Sequence, residues 1–275
     1  MNLKRKWPLE LDQISRYIGE KSDLVQGPGG NVSWKDGEDI WVKASGAQLR
    51  DAESKPIFCR IRKTDPYKSL DDNQLRPSIE SLLHASIPAT FVIHLHSIGA
   101  VSLAIRENLE SKARSIITEF NLGIIPYLRP GKELAKGIES NLDANKALNG
   151  FLLQNHGIVA WGEDLTIIFD SLLKFESKVA TVFPIKRENL NECEEFGINK
   201  YLGGKYITPD HAVFSDQLNH PLFAGNPNWI RDLCKALCKS VSLVGDKTLL
   251  KFLPFEEALT LQNWEAEKFR KRQNI

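Results

Sequence analysis

Residues 76–101 read RPSIESLLHASIPATFVIHLHSIGAV, and this stretch carries a helix, a strand and two histidines two residues apart. Pro77 precedes a first turn and Ser78 can cap one, so residues 78–85 are expected to be helical. Glu80 and His84 are then four residues apart on one helix face. Residues 91–96, FVIHLH, combine aromatic and β-branched side chains and read as a strand. Alternate residues of a strand point to the same side, so His94 and His96 present their imidazoles together.

Moving outward, two further apolar runs, 150–154 and 158–161, read as strands flanking Asn155-His156-Gly157. His156 is the best third partner for the histidine pair. Three protein ligands that leave a fourth position open make the arrangement of a catalytic zinc site. Glu80 suits the same chemistry, because a carboxylate near a metal-bound substrate removes a proton α to a carbonyl that the metal polarises. Taken singly the pieces are open to plainer readings. An HxH also occurs on strands that hold no metal, and Glu80 alone reads as an exposed helix acid. His84 reads as a core histidine bonded to a neighbour, His211 after Thr208-Pro209-Asp210 as structural, and His220 carries no signal.

Two glycine- and serine-rich turns point to an anion pocket. Gly29-Gly30-Asn31-Val32-Ser33 offers backbone amides and an amide side chain, and Lys43-Ala44-Ser45-Gly46 offers a cation, a hydroxyl and a second turn. Each alone also reads as a plain turn, and neither is a P-loop or a dinucleotide fingerprint.

The rest of the chain fills in an α/β pattern. Residues 9–19 suit an amphipathic helix, 40–42 a strand, 98–105 and 109–120 helices, 124–128 a short strand, 133–138 a helix, and 165–183 the longest apolar helix. Residues 187–205 are polar and glycine-containing and read as a boundary or long connection, and 212–214 as strand-like. Hence 1–186 is expected to form the main domain and 187–275 an extension packed on it. Strands and helices interleave, which defines the class as α/β.

Composition excludes several functions. The 275 residues are 42% hydrophobic and 26% charged, with 36 Lys plus Arg against 35 Asp plus Glu, a formal net charge of +1. No basic stripe of a nucleic-acid binder is expected from that balance. The basic run 268–272 reads as a solvated helix end. No apolar run reaches membrane-spanning length, and Glu10 and Asp12 interrupt any signal-peptide pattern, so a cytoplasmic location is expected. Cys59, Cys193, Cys234 and Cys238 form no CxxC pair and are expected to be reduced thiols.

Four segments together, GPGGNVSW (27–34), WVKASGAQL (41–49), the 76–101 stretch and FLLQNHGIVAWGED (151–164), resemble the class II aldolase/adducin family in order and spacing. PYLRPGKELA (126–135) fits between them, and YITPDHAVF (206–214) and LQNWEAEKFR (261–270) look like its rhamnose-utilisation-type aldolases. The resemblance implies a three-layer α-β-α sandwich with a mainly antiparallel central sheet. It implies one Zn2+ per chain on His94, His96 and His156, with Glu80 as general acid/base. A sugar phosphate would sit among Asn31, Ser45, Gly46 and Ser78, in a homo-oligomer, often a tetramer. The sequence departs from the pattern where Ile79 replaces a second serine before the acid, removing one phosphate-binding hydroxyl. Lys43 either compensates or binds a different anion, such as a sugar acid.

The expected reaction is aldol cleavage or formation of a C–C bond in a ketose through a metal-stabilised enediolate. Three other readings stay open: a 4-epimerase, a sugar-phosphate dehydratase on the same zinc site, and a non-catalytic adducin-like scaffold.

Overall fold

The computed structural model of the chain describes residues 6–71, 75–145, 147–218 and 227–273. His220 lies outside them. The first part of the chain runs α1 (Leu9–Glu20), β1 (Asn31–Asp36), β2 (Asp39–Lys43), β3 (Phe58–Arg62), α2 (Ser81–Ser86), β4 (Phe91–Leu95), α3 (Ile98–Ala104), α4 (Leu109–Glu119), β5 (Leu122–Ile125), α5 (Lys132–Ala144), β6 (Gly150–Leu153), β7 (Gly157–Gly162) and α6 (Leu165–Val182). The remainder is helical: α7 (Arg187–Phe196), α8 (Ile198–Tyr201), α9 (Pro209–Val213), α10 (Asn228–Val244), α11 (Phe255–Asn263) and α12 (Glu265–Arg272).

The seven strands form one sheet in the order β3-β2-β1-β4-β7-β6-β5. All neighbours are antiparallel except β5 and β6, which are parallel. β4 lies at the centre and is buried along its whole length, as expected for a strand covered on both faces. Phe91, Ile93 and Leu95 pack toward α1, α3, α4 and α6, whereas Val92 packs toward α2 and α5. His94 shares the side of Val92 by the two-residue period. The result is the three-layer α/β sandwich with a mostly antiparallel sheet. Among the described residues no helix is long and apolar enough to cross a membrane.

A second core gathers the C-terminal helices around Trp229, Leu233 and Leu237 of α10 and reaches Val101 and Ile105 in and after α3. Several expectations fail here. Residues 187–205 are not an open connection: they contain α7 and α8, whose buried Cys193 and Ile198 anchor them to that core. Residues 212–214 are not a strand. Thr208 Oγ1 accepts a hydrogen bond from the His211 amide and Pro209 occupies the first turn, so a helix start overrides local β preference. The thiols are not all reduced: α7 against α10 brings Cys193 and Cys238 to a Cα–Cα distance of 5.6 Å, and they form a disulfide. Cys59 and Cys234 are free and buried. The strand expected at 124–128 lies at Leu122–Ile125, because parallel pairing with β6 sets Leu122 opposite Gly150 and Pro126 cannot continue the ladder. α5 runs well past residue 138, and the strands β1 and β3 were not anticipated as such.

One glycine is dictated by packing. A Cβ on Gly157, where the 155–157 turn enters β7, would meet the Leu95 carbonyl oxygen at 2.2 Å. Gly157→Ala is expected to cost about 1–3 kcal/mol of stability by overpacking, seen as a lowered urea midpoint at unchanged slope.

Candidate metal centre

Strand pairing builds the centre. β4 pairs with β7, setting Leu95 opposite Ile158, so the β6–β7 turn carrying His156 lies beside the end of β4. β1 pairs with the other edge of β4 and sets Asn31 opposite His94. Glu80 precedes α2 and reaches the same point. His94, His96, His156 and Glu80 are all buried, and their ligand atoms lie within 4.8 Å of one another.

Glu80 Oε1 lies 3.1 Å from His156 Nε2 and 3.4 Å from His94 Nε2, and His94 Nε2 lies 3.0 Å from His96 Nε2. Nitrogens bound to one tetrahedral zinc at about 2.0–2.1 Å would stand roughly 3.4 Å apart. The tautomers suit that use. His94 Nδ1 faces the Ile158 carbonyl at 3.0 Å, and His96 Nδ1 faces Asp210 Oδ2 at 2.7 Å. Donation from both Nδ1 atoms leaves the Nε2 lone pairs aimed at the centre. Burial lowers His156 to about 4 against the opposing pull of Glu80, so its ring is neutral at physiological pH. Glu80 Oε1 is buried without a hydrogen-bond partner. Acceptors converging on one buried point, with an orphaned carboxylate oxygen beside them, form a set that could hold a divalent cation.

Glu80 is held as a carboxylate. Burial by itself would raise its pKa, but His94 and His156 outweigh that and keep it well below the usual range. Asn31 Nδ2 donates to Glu80 Oε2 at 2.7 Å. Asn31 Oδ1 in turn meets His84 Nε2, while His84 Nδ1 meets Ser33 Oγ at 2.6 Å. His84 is a buried core histidine that orients Asn31. His211 is structural too, with Nε2 2.9 Å from Asn199 Oδ1.

Asn31, Lys43, Ser45, Gly46 and Ser78 line one chamber with Glu80, His96 and His156. Lys43 Nζ donates at 2.8 Å to the carbonyls of Pro28 and of Ala47, and burial, aided by Arg270, lowers it to about 7. Ser78 Oγ accepts from the Glu80 amide at 3.2 Å, leaving its proton to donate.

Three lining residues escaped the sequence reading: Asp210, Glu267 and Arg270. Asp210 follows the Thr208-Pro209 helix start, a signal read only as a turn. Arg270 lies in the basic run 268–272, yet its side chain is only 13% exposed and turns to Asp210, donating from Nη2 to Oδ1 at 2.5 Å. Asn155 was also missed as a functional element. It adopts φ 55°, and its Nδ2 donates to the carbonyls of Ile207 at 2.9 Å and Lys251 at 2.8 Å, tying the His156 turn to the C-terminal helices. A carboxylate behind a metal-ligating histidine fixes its ring and raises its basicity. If the centre holds a metal through His96, Asp210→Asn is expected to weaken its affinity about 10–100-fold, measured with added zinc by competition with a chromophoric chelator.

Residues 10–181 match the class II aldolase and adducin N-terminal domain, and the chain belongs to that family. It is 28% identical over 219 residues to the uncharacterized oxidoreductase YuxG of Bacillus subtilis, across 70% of this chain and 31% of that protein. It is 28% identical over 193 residues to the 3-oxo-tetronate 4-phosphate decarboxylase of Haemophilus influenzae, across 65% of this chain and 87% of the relative. The solved N-terminal class II aldolase domain of a Thermoplasma acidophilum protein aligns with a TM-score of 0.54 at 27% identity, covering 66% of this chain and 96% of that one. Other relatives carry the names methylthioribulose-1-phosphate dehydratase and L-fuculose phosphate aldolase. The chain spans about a third of the length of some relatives, 31% and 33% in two cases. The family match ends at residue 181, so Asp210, Glu267 and Arg270 lie beyond it.

Proposed function

We propose that the protein is a zinc-dependent lyase of sugar metabolism, an aldolase that breaks or forms a C–C bond in a ketose phosphate. The observation that carries this reading is the convergence of Glu80 with three buried histidines beside a chamber that Glu80, His96 and His156 line together with hydroxyls, backbone turns and a lysine. His94, His96 and His156 would hold the zinc, which supplies Lewis-acid polarisation of the substrate carbonyl. Glu80 exchanges the proton at the carbon α to that carbonyl, and Asn31 keeps its carboxylate in place. Ser45, Ser78, the Gly46 turn and Lys43 receive the phosphate, with Lys43 able to take a sugar carboxylate instead. The 187–275 segment acts as an extension packed on the 1–186 domain. The enzyme works in the cytoplasm as a homo-oligomer, with a tetramer expected.

Dehydration or decarboxylation is the second reading, favoured by the names of two relatives. An epimerase would use the same residues. The zinc-loaded full chain should be offered a panel of ketose phosphates and 3-oxo sugar-acid phosphates, with products followed by NMR. Free aldehyde supports the aldolase. A dehydrated ketone, carbon dioxide or an epimer replaces it with the corresponding reaction, and no turnover with any substrate removes the lyase reading.

A further inference from the structure

Helix α12 turns two side chains into the chamber one helical turn apart, Glu267 and Arg270. The Glu267 side chain is buried, with a relative exposure of only 3%, and its Oε2 lies 2.7 Å from Arg270 Nε. That contact is not aligned as a hydrogen bond, and Oε2 has no hydrogen-bond partner. Through Nη2 the same guanidinium grips Asp210. One cation thus stands between two buried carboxyl groups and can neutralise only one of them. An uncompensated buried carboxylate is costly, and such a group keeps its proton instead.

The two carboxyls divide accordingly. At Asp210 burial alone would raise the pKa, but Arg270 and the His96 ring outweigh it and keep the group ionised. At Glu267 burial dominates, the charges of Asp210 and Glu80 reinforce it, and Arg270 offsets only part, so the group is pushed up to about 7. Lys43, the other cationic side chain lining the chamber, is itself lowered to about 7. Glu80 and Glu267 therefore face one chamber, Glu80 beside the candidate metal ligands and held by Asn31, Glu267 on α12. Two carboxyl groups in different surroundings on one chamber, one of them with an unpartnered buried oxygen, are the arrangement of an acid–base pair.

We propose that Glu267 is the second catalytic acid/base of the site, exchanging a proton with the substrate oxygen on the side away from Glu80. The proposal rests on the lyase reading above. In condensation, the carbon nucleophile's electron pair forms the C–C bond to the aldehyde carbon. The C=O π pair moves to the aldehyde oxygen, and Glu267 Oε2–H protonates that oxygen and becomes a carboxylate. In cleavage the carboxylate takes the hydroxyl proton back as the C–C bond breaks. In a dehydration the same proton leaves with the departing hydroxyl as water, while Glu80 takes the proton from the α carbon. The pH sign follows. A step that needs protonated Glu267 runs fully below pH about 7 and is lost as pH rises through it. Cleavage, which needs the carboxylate, shows the opposite limb.

Glu267→Gln in the full, zinc-loaded chain tests this. The expected result is unchanged zinc content, kcat lowered by a factor of about 100 or more, and loss of the limb near neutrality. Glu267→Asp should restore part of the rate, which a purely structural role would not require. Infrared difference spectra of wild type against Glu267→Gln, without substrate, should show a protonated carboxyl that ionises near neutral pH. A Gln variant with wild-type kcat and the same limb, or a Glu267 carboxyl ionised from pH 5 to 8, overturns the assignment. A wild type that binds zinc but turns over no substrate removes the lyase reading and the donor role with it, whatever the infrared band shows. Turnover retained in the variant removes the donor role alone.

Discussion

His94→Ala should yield a protein with no stoichiometric zinc and no activity, where the wild type is expected to hold about one zinc per chain. The effect is expected to be large because His94 is the most deeply placed donor and its ring is held from behind. It sits on the central strand with no solvent exposure, and its Nδ1 contact to Ile158 fixes the ring. Changing the partner behind a ligand costs about 10–100-fold in affinity, so removing a ligand should cost more. Alanine also leaves a hole in a strand packed on both faces, so His94→Gln is the companion variant, keeping volume while losing the imidazole. Elemental analysis after dialysis reads the outcome for both. Full zinc occupancy in either variant, with a folded protein, would remove His94 from the ligand set.

Glu80→Gln should keep zinc and lose turnover by a factor of about 100 or more, the contribution typical of a positioned general acid/base. The substitution preserves size and burial but removes the carboxylate that Asn31 and the surrounding histidines stabilise. The loss should fall on kcat, since the proposed anion-binding residues Ser45, Ser78 and Lys43 are unchanged. Zinc content measured on the same sample separates a chemical defect from a ligand defect. A fully active Glu80→Gln enzyme would end the role assigned to this residue.

Much of this architecture is written in short-range pattern. The β-rich run before His94, the Asn155-His156-Gly157 turn between two apolar runs, and the long apolar helix at Leu165–Val182 all follow from local spacing. The HxH shows a subtler case. β4 ends at Leu95, so His96 lies just past the strand, yet its Nε2 still comes within 3.0 Å of that of His94. Local preference was misleading where a cap intervened, as at Thr208, or where charge suggested solvent, as at Arg270 within the otherwise solvated run 268–272. Arg270 turns inward because Asp210, 60 residues earlier, meets it there.

The sequence by itself determined the α/β class, most element types of residues 76–182 and the residue kinds of the centre, because helix and strand periods and turn chemistry act over a few residues. Only the tertiary structure decided which of those residues meet. Asn31 comes opposite His94 through β1–β4 pairing, Asp210 reaches His96 across 114 residues, and Cys193 finds Cys238 across 45. Such contacts arise from the joint packing of sheet and helical layers, and no local spacing encodes them.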